Sequence, residues 1–227
     1  MKKLVLIDGN AIIHRAYHAI PKNLHTRKGE QTNIVYGFAT TLIKVLEDLQ
    51  PEYIAASFDL AGPTFRHEQY KEYKATRVKA DQELYDQIPR VKQLVEVFGI
   101  PIYEMQGFEA DDVIGTIVEK IRNATSTETF HRKDTEKNQC KSMKKNDTRD
   151  NLLAGGQTNP ESQIQNDQPV NQSTNQPIII YIVSGDKDIF QLVNGNVKVY
   201  NLKKGLSQTQ IVDAEVIQQE YNLQPSD

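Results

Sequence analysis

Seven carboxylates sit in four short stretches of this chain: Asp8 in LVLIDGN, Asp59 in AASFDLAG, Glu109, Asp111 and Asp112 in GFEADDVIG, and Asp186 and Asp188 in SGDKDIF. Acids gathered on one small surface repel one another and raise each other's pKa unless cations neutralise them. Oxygen ligands without thiolate or imidazole suit Mg²⁺ or Mn²⁺. Two such ions about 4 Å apart can activate a water and stabilise the leaving oxygen of a phosphodiester. Taken singly, each stretch has an ordinary structural explanation. Asp-Gly after a strand makes a turn, and acids in a first helical turn complement the helix dipole. The recurrence of acids at equivalent topological positions is what points to chemistry.

Those positions follow from the hydrophobic pattern. Leu4–Ile7 reads as a short buried strand ending in Asp8, Tyr53–Phe58 as a second ending in Asp59, and Ile178–Val183 as a third. The last is an unbroken apolar run, as expected of a central strand covered on both faces. Helical spacing marks Ala11–Ile20, Tyr36–Leu49, Leu84–Phe98 (closed by Gly99) and the stripe Val113, Ile114, Ile117, Val118 and Ile121. Ile100–Tyr103 and Val197–Tyr200 read as short strands, and Asp213–Tyr221 as a helix. Strands separated by helices imply a three-layer α/β fold with a mainly parallel sheet. In such a sheet all carboxyl ends share one edge, where ligands bind, so the four acidic stretches converge there.

Between Asp59 and the helix starting near Leu84 runs a basic arm. Arg66, Lys71, Lys74, Arg77 and Lys79 outnumber Glu68 and Glu72, and Tyr70 and Tyr73 are interleaved with them. On one continuous helix, Arg66, Tyr70, Tyr73, Lys74 and Arg77 would share a face. Cations and aromatics together grip phosphates and stack on bases; a solvated charged helix is the plainer alternative.

The rest of the composition sets bounds. A net charge of −3 excludes a wholly basic nucleic-acid binder, so any DNA contact has to come from a local basic patch. A single cysteine, Cys140, leaves no disulfide framework or cysteine-rich zinc site and suits a reducing, cytoplasmic compartment. No apolar run approaches the ~20 residues of a membrane span, so no membrane partner is expected. From Asn123 to Pro177, 26 of 55 residues are Asn, Gln, Ser or Thr and 9 are apolar. Such a stretch buries too little apolar surface to offset the entropy of ordering it, and 123–177 reads as a disordered, low-complexity polar insertion. It interrupts one domain formed by 1–122 and 178–227.

In order, LIDGN, FD…TFRHEQYKEYKATR, GFEADDVIG and SGDKDIFQLV resemble the 5′-nuclease family, and more narrowly its N-terminal 5′→3′ exonuclease domain in bacterial DNA polymerase I. The resemblance covers nearly all of the chain outside the polar insertion. It implies a resolvase-like (PIN-like) α/β core under a helical arch. It also implies cleavage of 5′ flaps, nicks and 5′ ends of DNA, RNA primers included, in replication and repair. By the same resemblance Asp8, Asp59, Glu109, Asp111, Asp112 and Asp186 are metal-binding acids, and Asp188 belongs to a second metal position. Lys74 and Arg77 contact the scissile phosphate, where they would stabilise developing charge. Tyr73 stacks on the nucleotide at the cut, and Arg15 is a further candidate for a phosphate contact.

The sequence ends at Gln224–Asp227, where the family continues into a helix–three-turn–helix that grips duplex DNA and supplies two more acids. The second metal site is therefore incomplete in this chain, which reads either as a fragment or as a protein of impaired catalysis. The sequence leaves open whether a polymerase region follows in the gene product, and a monomeric state is expected. Two other functions share parts of the pattern. A PIN-type ribonuclease has the acidic edge but no need of the basic arm, and a non-catalytic module that binds branched DNA needs no second metal site. His14 and His18, spaced i, i+4, lack a third nitrogen or sulfur ligand and are read as flanking the first helix or approaching DNA. His67 is read as a phosphate or solvent contact. Gly29, Thr32 and Asn33 fit either a duplex-binding loop or a helix cap.

Overall fold

The computed structural model describes residues 1–70, 72–73, 81–124, 177–203 and 208–223. By its contacts the chain divides into one unit of Met1–Lys120 with Gln176–Asp227 and another of Ile121–Asn175. Of the second, 121–124 fall among the described residues and continue a helix; the expected polar insertion otherwise lies outside them.

The first unit is built on six strands: β1 (Lys2–Asp8), β2 (Tyr53–Ser57), β3 (Ile102–Tyr103), β4 (Ile178–Ser184), β5 (Val197–Leu202) and β6 (Thr209–Val212). Their order across the sheet is β3-β2-β1-β4-β5-β6. β1 is parallel to both neighbours, with Asp8 level with Ser57 of β2 and Ile7 level with Val183 of β4. Among the described strands only β6 runs antiparallel, against β5. From β1 the chain builds outward to β2 and β3, then returns to lay β4 and β5 on the other flank. Strand order thus reverses between β1 and β4, and open α/β sheets hold their ligands outside the strand ends at such a point.

Helices α1 (Gly9–Ala19), α2 (Asn33–Leu49) and α4 (Gln82–Val97) cover one face. Ile12, Ile13, Ile34, Phe38, Leu42, Val91 and Val95 pack there on Val5, Ile7 and Ala56. A further long helix, α5 (residues 110–124), brings Ile114 and Ile117 beside Leu6 and Ala55 on the other face. A final helix, α6 (Ala214–Tyr221), starts at Asp213, which caps it by accepting the Val216 N–H at 3.2 Å.

Most expected elements are present with small shifts of their ends, and three readings change. The basic arm does not begin as one continuous helix: α3 spans only Phe65–Gln69, and Tyr70 leaves it in an extended conformation. Arg66, Tyr70 and Tyr73 therefore do not share a helical face. β6 joins the edge although Thr209–Val212 shows no apolar run. Gly9 is not a turn residue but the first residue of α1, where an added Cβ would lie 2.2 Å from the Phe58 ring.

Candidate active site

Asp8 ends β1 and also caps α1. Its Oδ1 accepts the Ala11 N–H at 3.0 Å, and its Oδ2 accepts the Ser184 hydroxyl at 2.8 Å. Ser184 ends β4, and its oxygen in turn accepts the Asp186 N–H at 3.0 Å. One hydroxyl thus ties the acid of β1 to the loop that carries the acids of β4. Asp59, two residues beyond β2, accepts the Ala110 N–H at 2.7 Å and the Asn10 side-chain amide at 2.7 Å. Asn10 also accepts the Asp59 N–H at 3.2 Å, so the two residues hold each other.

At the start of α5, Glu109 is buried, while Asp111 and Asp112 are half-buried. Asp112 accepts the Glu109 N–H at 3.0 Å and receives Arg66 on both oxygens. The Tyr73 hydroxyl donates to Glu109 at 3.1 Å. The near end of the basic arm is thereby fastened to the acid-bearing helix. Beyond the arm, Asp81 receives the Tyr17 hydroxyl and the Lys22 ammonium.

Asp8, Asp59, Glu109, Asp111 and Asp186 all line one cavity of about 760 Å³ at the switch point. Asp188 lines a neighbouring cavity that also reaches Asp111, Arg66 and Tyr73. The site carries the signature of crowded charge. Burial, with Asp59 and Asp111 nearby, pushes the Asp8 carboxyl up to about 6 against the hydrogen bonds from Ala11 and Ser184. Asp111 is likewise raised, by burial and by Asp112. Asp112 beside it holds the Arg66 guanidinium well above its ordinary range.

Among the described residues no three acids are drawn closely enough to hold a metal ion in this arrangement. N–H and O–H groups occupy oxygens of Asp8, Asp59, Asp112 and Asp186. The donor set nevertheless fits a hard divalent cation: five carboxylates face one cavity, and Asp8 and Asp111 bear the electrostatic cost that such an ion relieves.

Of the residues singled out from sequence, Lys74 and Arg77 lie outside the described residues. Arg15 lines the main cavity with the acids, its guanidinium standing where a Cβ on Gly185 would meet it at 3.1 Å. Tyr70 is exposed. His67 is exposed, closes a capping box with Thr64 through its Nδ1, and meets the Tyr73 ring edge-on. Thr32 starts α2 without a side-chain cap bond, and Asn33 is buried against Gln87. Sequence reasoning missed Asn10, Ser184 and Lys203 at the site; Asn10 and Ser184 lie inside the acidic motifs themselves, a signal that was there to read.

The fold that carries this cavity is shared with known nucleases. The fold matches a bacteriophage T5 5′-exonuclease with bound divalent zinc at TM-score 0.60 and 13% identity, over 100% of this chain and 62% of that one. It also matches a bacteriophage T5 flap endonuclease in a pseudo-enzyme-product complex with DNA and metal ions, at TM-score 0.58 and 12% identity, again over 100% and 62%. These likenesses establish the fold. The chain belongs to the family described as 5′-3′ exonuclease, N-terminal resolvase-like domain, matched over residues 3–145. It is 32% identical over 224 residues to DNA polymerase I of Bacillus caldotenax, 99% of this chain and 20% of that protein. The corresponding figures for DNA polymerase I of Bacillus subtilis are 32% over 224 residues, 99% and 19%. For that of Caldicellulosiruptor bescii they are 45% over 121 residues, 53% and 14%. The chain thus spans about a fifth of the length of the Bacillus relatives. Among the described residues no helix is long and apolar enough to cross a membrane.

Proposed function

We propose that the chain is a 5′-nuclease module that hydrolyses phosphodiesters of DNA at 5′ flaps, nicks and 5′ ends. The observation that carries this reading is the cavity at the β1/β4 switch point, into which Asp8, Asp59, Glu109, Asp111 and Asp186 are delivered from four separate segments. Asp8, Asp59, Glu109, Asp111 and Asp186 would hold Mg²⁺ or Mn²⁺, with Asp112 and Asp188 at the margin. Bound there, divalent ions supply an activated water and charge stabilisation at the leaving oxygen.

The protein's own groups do the positioning. Asn10 and the Ala110 N–H fix Asp59, and Ser184 fixes Asp8 relative to the Asp186 loop. Arg15 lines the same cavity and is placed to meet a strand phosphate. Arg66 fastens the start of the arm to α5, and Tyr73 beside Glu109 presents a ring for a base to stack on. Lys74 and Arg77, eight and eleven residues beyond Arg66, are assigned to the scissile phosphate. In the cell we place the module in primer removal and repair, as the N-terminal part of a polymerase.

The test is cleavage of a 5′-labelled flap substrate in Mg²⁺ by the chain and by its Asp111→Ala variant. Metal-dependent cutting that the variant loses supports the nuclease. Binding without cutting leaves a branched-DNA-binding module, and preferential cutting of an RNA hairpin a ribonuclease.

A further inference from the structure

One face of α1 is unlike the others. Ile12, Ile13, Ala16 and Tyr17 are buried in the core. Ala11, His14, Arg15, His18 and Ala19 follow i, i+3, i+4, i+7, i+8 spacing, and all five line the same cavity as the acids. The cavity therefore extends along the helix away from Asp8. Eight residues of helix cover about 12 Å, room for about three nucleotides of a stacked strand at about 3.4 Å each. Lys203, at the end of β5, lines the same cavity. Among the described residues its ammonium pairs with the exposed Glu220, at 3.3 Å.

The cavity thus has two chemically distinct regions. Around Asp8, Asp59, Glu109, Asp111 and Asp186 it is acidic and suits cations. Along α1 and at Lys203 it carries two imidazoles, a guanidinium and an ammonium, all hydrogen-bond donors toward oxyanions. Ala11 and Ala19, at either end of the stripe, add little bulk to the cavity. An acid cluster at one end and a donor-rich floor beyond it is what a polyanionic strand needs to pass through a metal site without meeting unneutralised carboxylates.

We propose that His14 and His18, with Lys203, form a phosphate-binding track that holds the nucleic-acid strand on the side of the cut reached along α1. The track recognises successive phosphodiesters of a strand, not a lone phosphate ion. It rests on the reading that this cavity acts on nucleic acid, and it adds residues that the acidic and arm motifs do not contain.

The test uses the full chain in Ca²⁺, which neutralises the acid cluster while binding is observed. Imidazole resonances of the five histidines, assigned through His14→Gln and His18→Gln, are followed by NMR during titration with thymidine trinucleotide, thymidine or inorganic phosphate. The trinucleotide is expected to shift His14 and His18 and not His25 or His131, while thymidine shifts none. The His14→Gln/His18→Gln double variant is expected to bind the trinucleotide about tenfold more weakly with unchanged thermal unfolding, and Lys203→Gln to weaken it in the same sense. Equal affinity of trinucleotide and inorganic phosphate would reduce the track to an anion site and overturn the proposal. So would unmoved imidazoles, or unchanged affinity in both the double variant and Lys203→Gln. Flap cutting by the parent chain in Mg²⁺ separates this from the nuclease reading: histidine shifts in a parent chain that never cuts DNA keep the track and sink the nuclease, and cutting without shifts does the reverse.

Discussion

Arg66 lays its two terminal nitrogens on the two carboxylate oxygens of Asp112, each at 2.7 Å, and so joins α3 to the first turn of α5 across 46 residues of sequence. The same guanidinium stands 3.7 Å from Glu109 and 4.7 Å from the centre of the Phe65 ring. A planar fork satisfies this geometry and an ammonium does not. Arg66→Ala leaves two partly buried carboxylates without their cation and is expected to cost about 1.5–3 kcal/mol in urea unfolding. Arg66→Lys should recover less than half of that. A double-mutant cycle with Asp112→Asn is expected to show coupling above about 1 kcal/mol; additive effects would mean the pair contributes nothing beyond proximity.

Asp8 gives the pH prediction. Its carboxyl is raised from 3.8 to about 6, so the folded protein binds this proton more tightly than the unfolded chain does. The associated stability is fully present below pH 3.8 and is lost as pH rises through about 6. At pH 7.5 the buried charge is a net cost of about 2–3 kcal/mol. Asp8→Asn removes that cost while keeping the shape. The variant is expected to be about as stable as the parent at pH 4 and more stable at pH 7.5, the gap opening between those values. Mg²⁺ should raise the melting temperature of the parent more than that of the variant. A gap that is constant across pH would show that the Asp8 charge is not under strain.

Much of this arrangement could be read from residues alone, for physical reasons. β1, β2 and β4 are short apolar runs that end in acids, and the rule that parallel strands share a carboxyl edge brings those acids together. Amphipathic spacing marked α1, α2, α4 and α5 because each buries one stripe. What escaped was set by tertiary contacts. β6 is polar because it lies at the sheet edge and needs no buried run. α3 stops after Gln69 because Arg66 and Tyr73 turn back to Asp112 and Glu109, a partnership between segments that periodicity cannot show. Asn10 and Ser184 carry no charge, and their value lies in whom they face: Asp59 for one, Asp8 and Asp186 for the other.

Two glycines beside the acids are small for different reasons, and substitution separates them. A Cβ on Gly9 would fall 2.2 Å from the ring of Phe58, itself fully buried against Phe38 and Lys92. Gly9→Ala is therefore expected to destabilise by about 1–3 kcal/mol through overpacking. A Cβ on Gly185 would first meet the tip of Arg15, 3.1 Å away and on a flexible stem. Gly185→Ala should unfold within about 0.5 kcal/mol of the parent yet displace Arg15 and weaken DNA binding. Equal stability losses at the two positions, measured by urea unfolding, would contradict this assignment.

Asn10 tests whether the groups behind the acids matter as much as the acids. Its amide donates to Asp59 at 2.7 Å and its carbonyl accepts the Asp59 backbone N–H at 3.2 Å, both near the surface where they add little to global stability. Their effect is orientation: without Asn10, Asp59 keeps only the Ala110 N–H and its second oxygen is free to rotate away from the cavity. Partners that orient metal ligands typically change metal affinity or activity about 10–100-fold. Asn10→Ala is therefore expected to raise the Mg²⁺ concentration needed for half-maximal flap cutting by that order, with less than about 1 kcal/mol lost in unfolding. Asn10→Asp restores the shape but puts a second negative charge against Asp59, and should be worse than alanine at low Mg²⁺ and approach it as Mg²⁺ rises. A metal dependence that is the same for the parent and both variants would leave Asp59 without a part in holding the ions, whatever the other acids do.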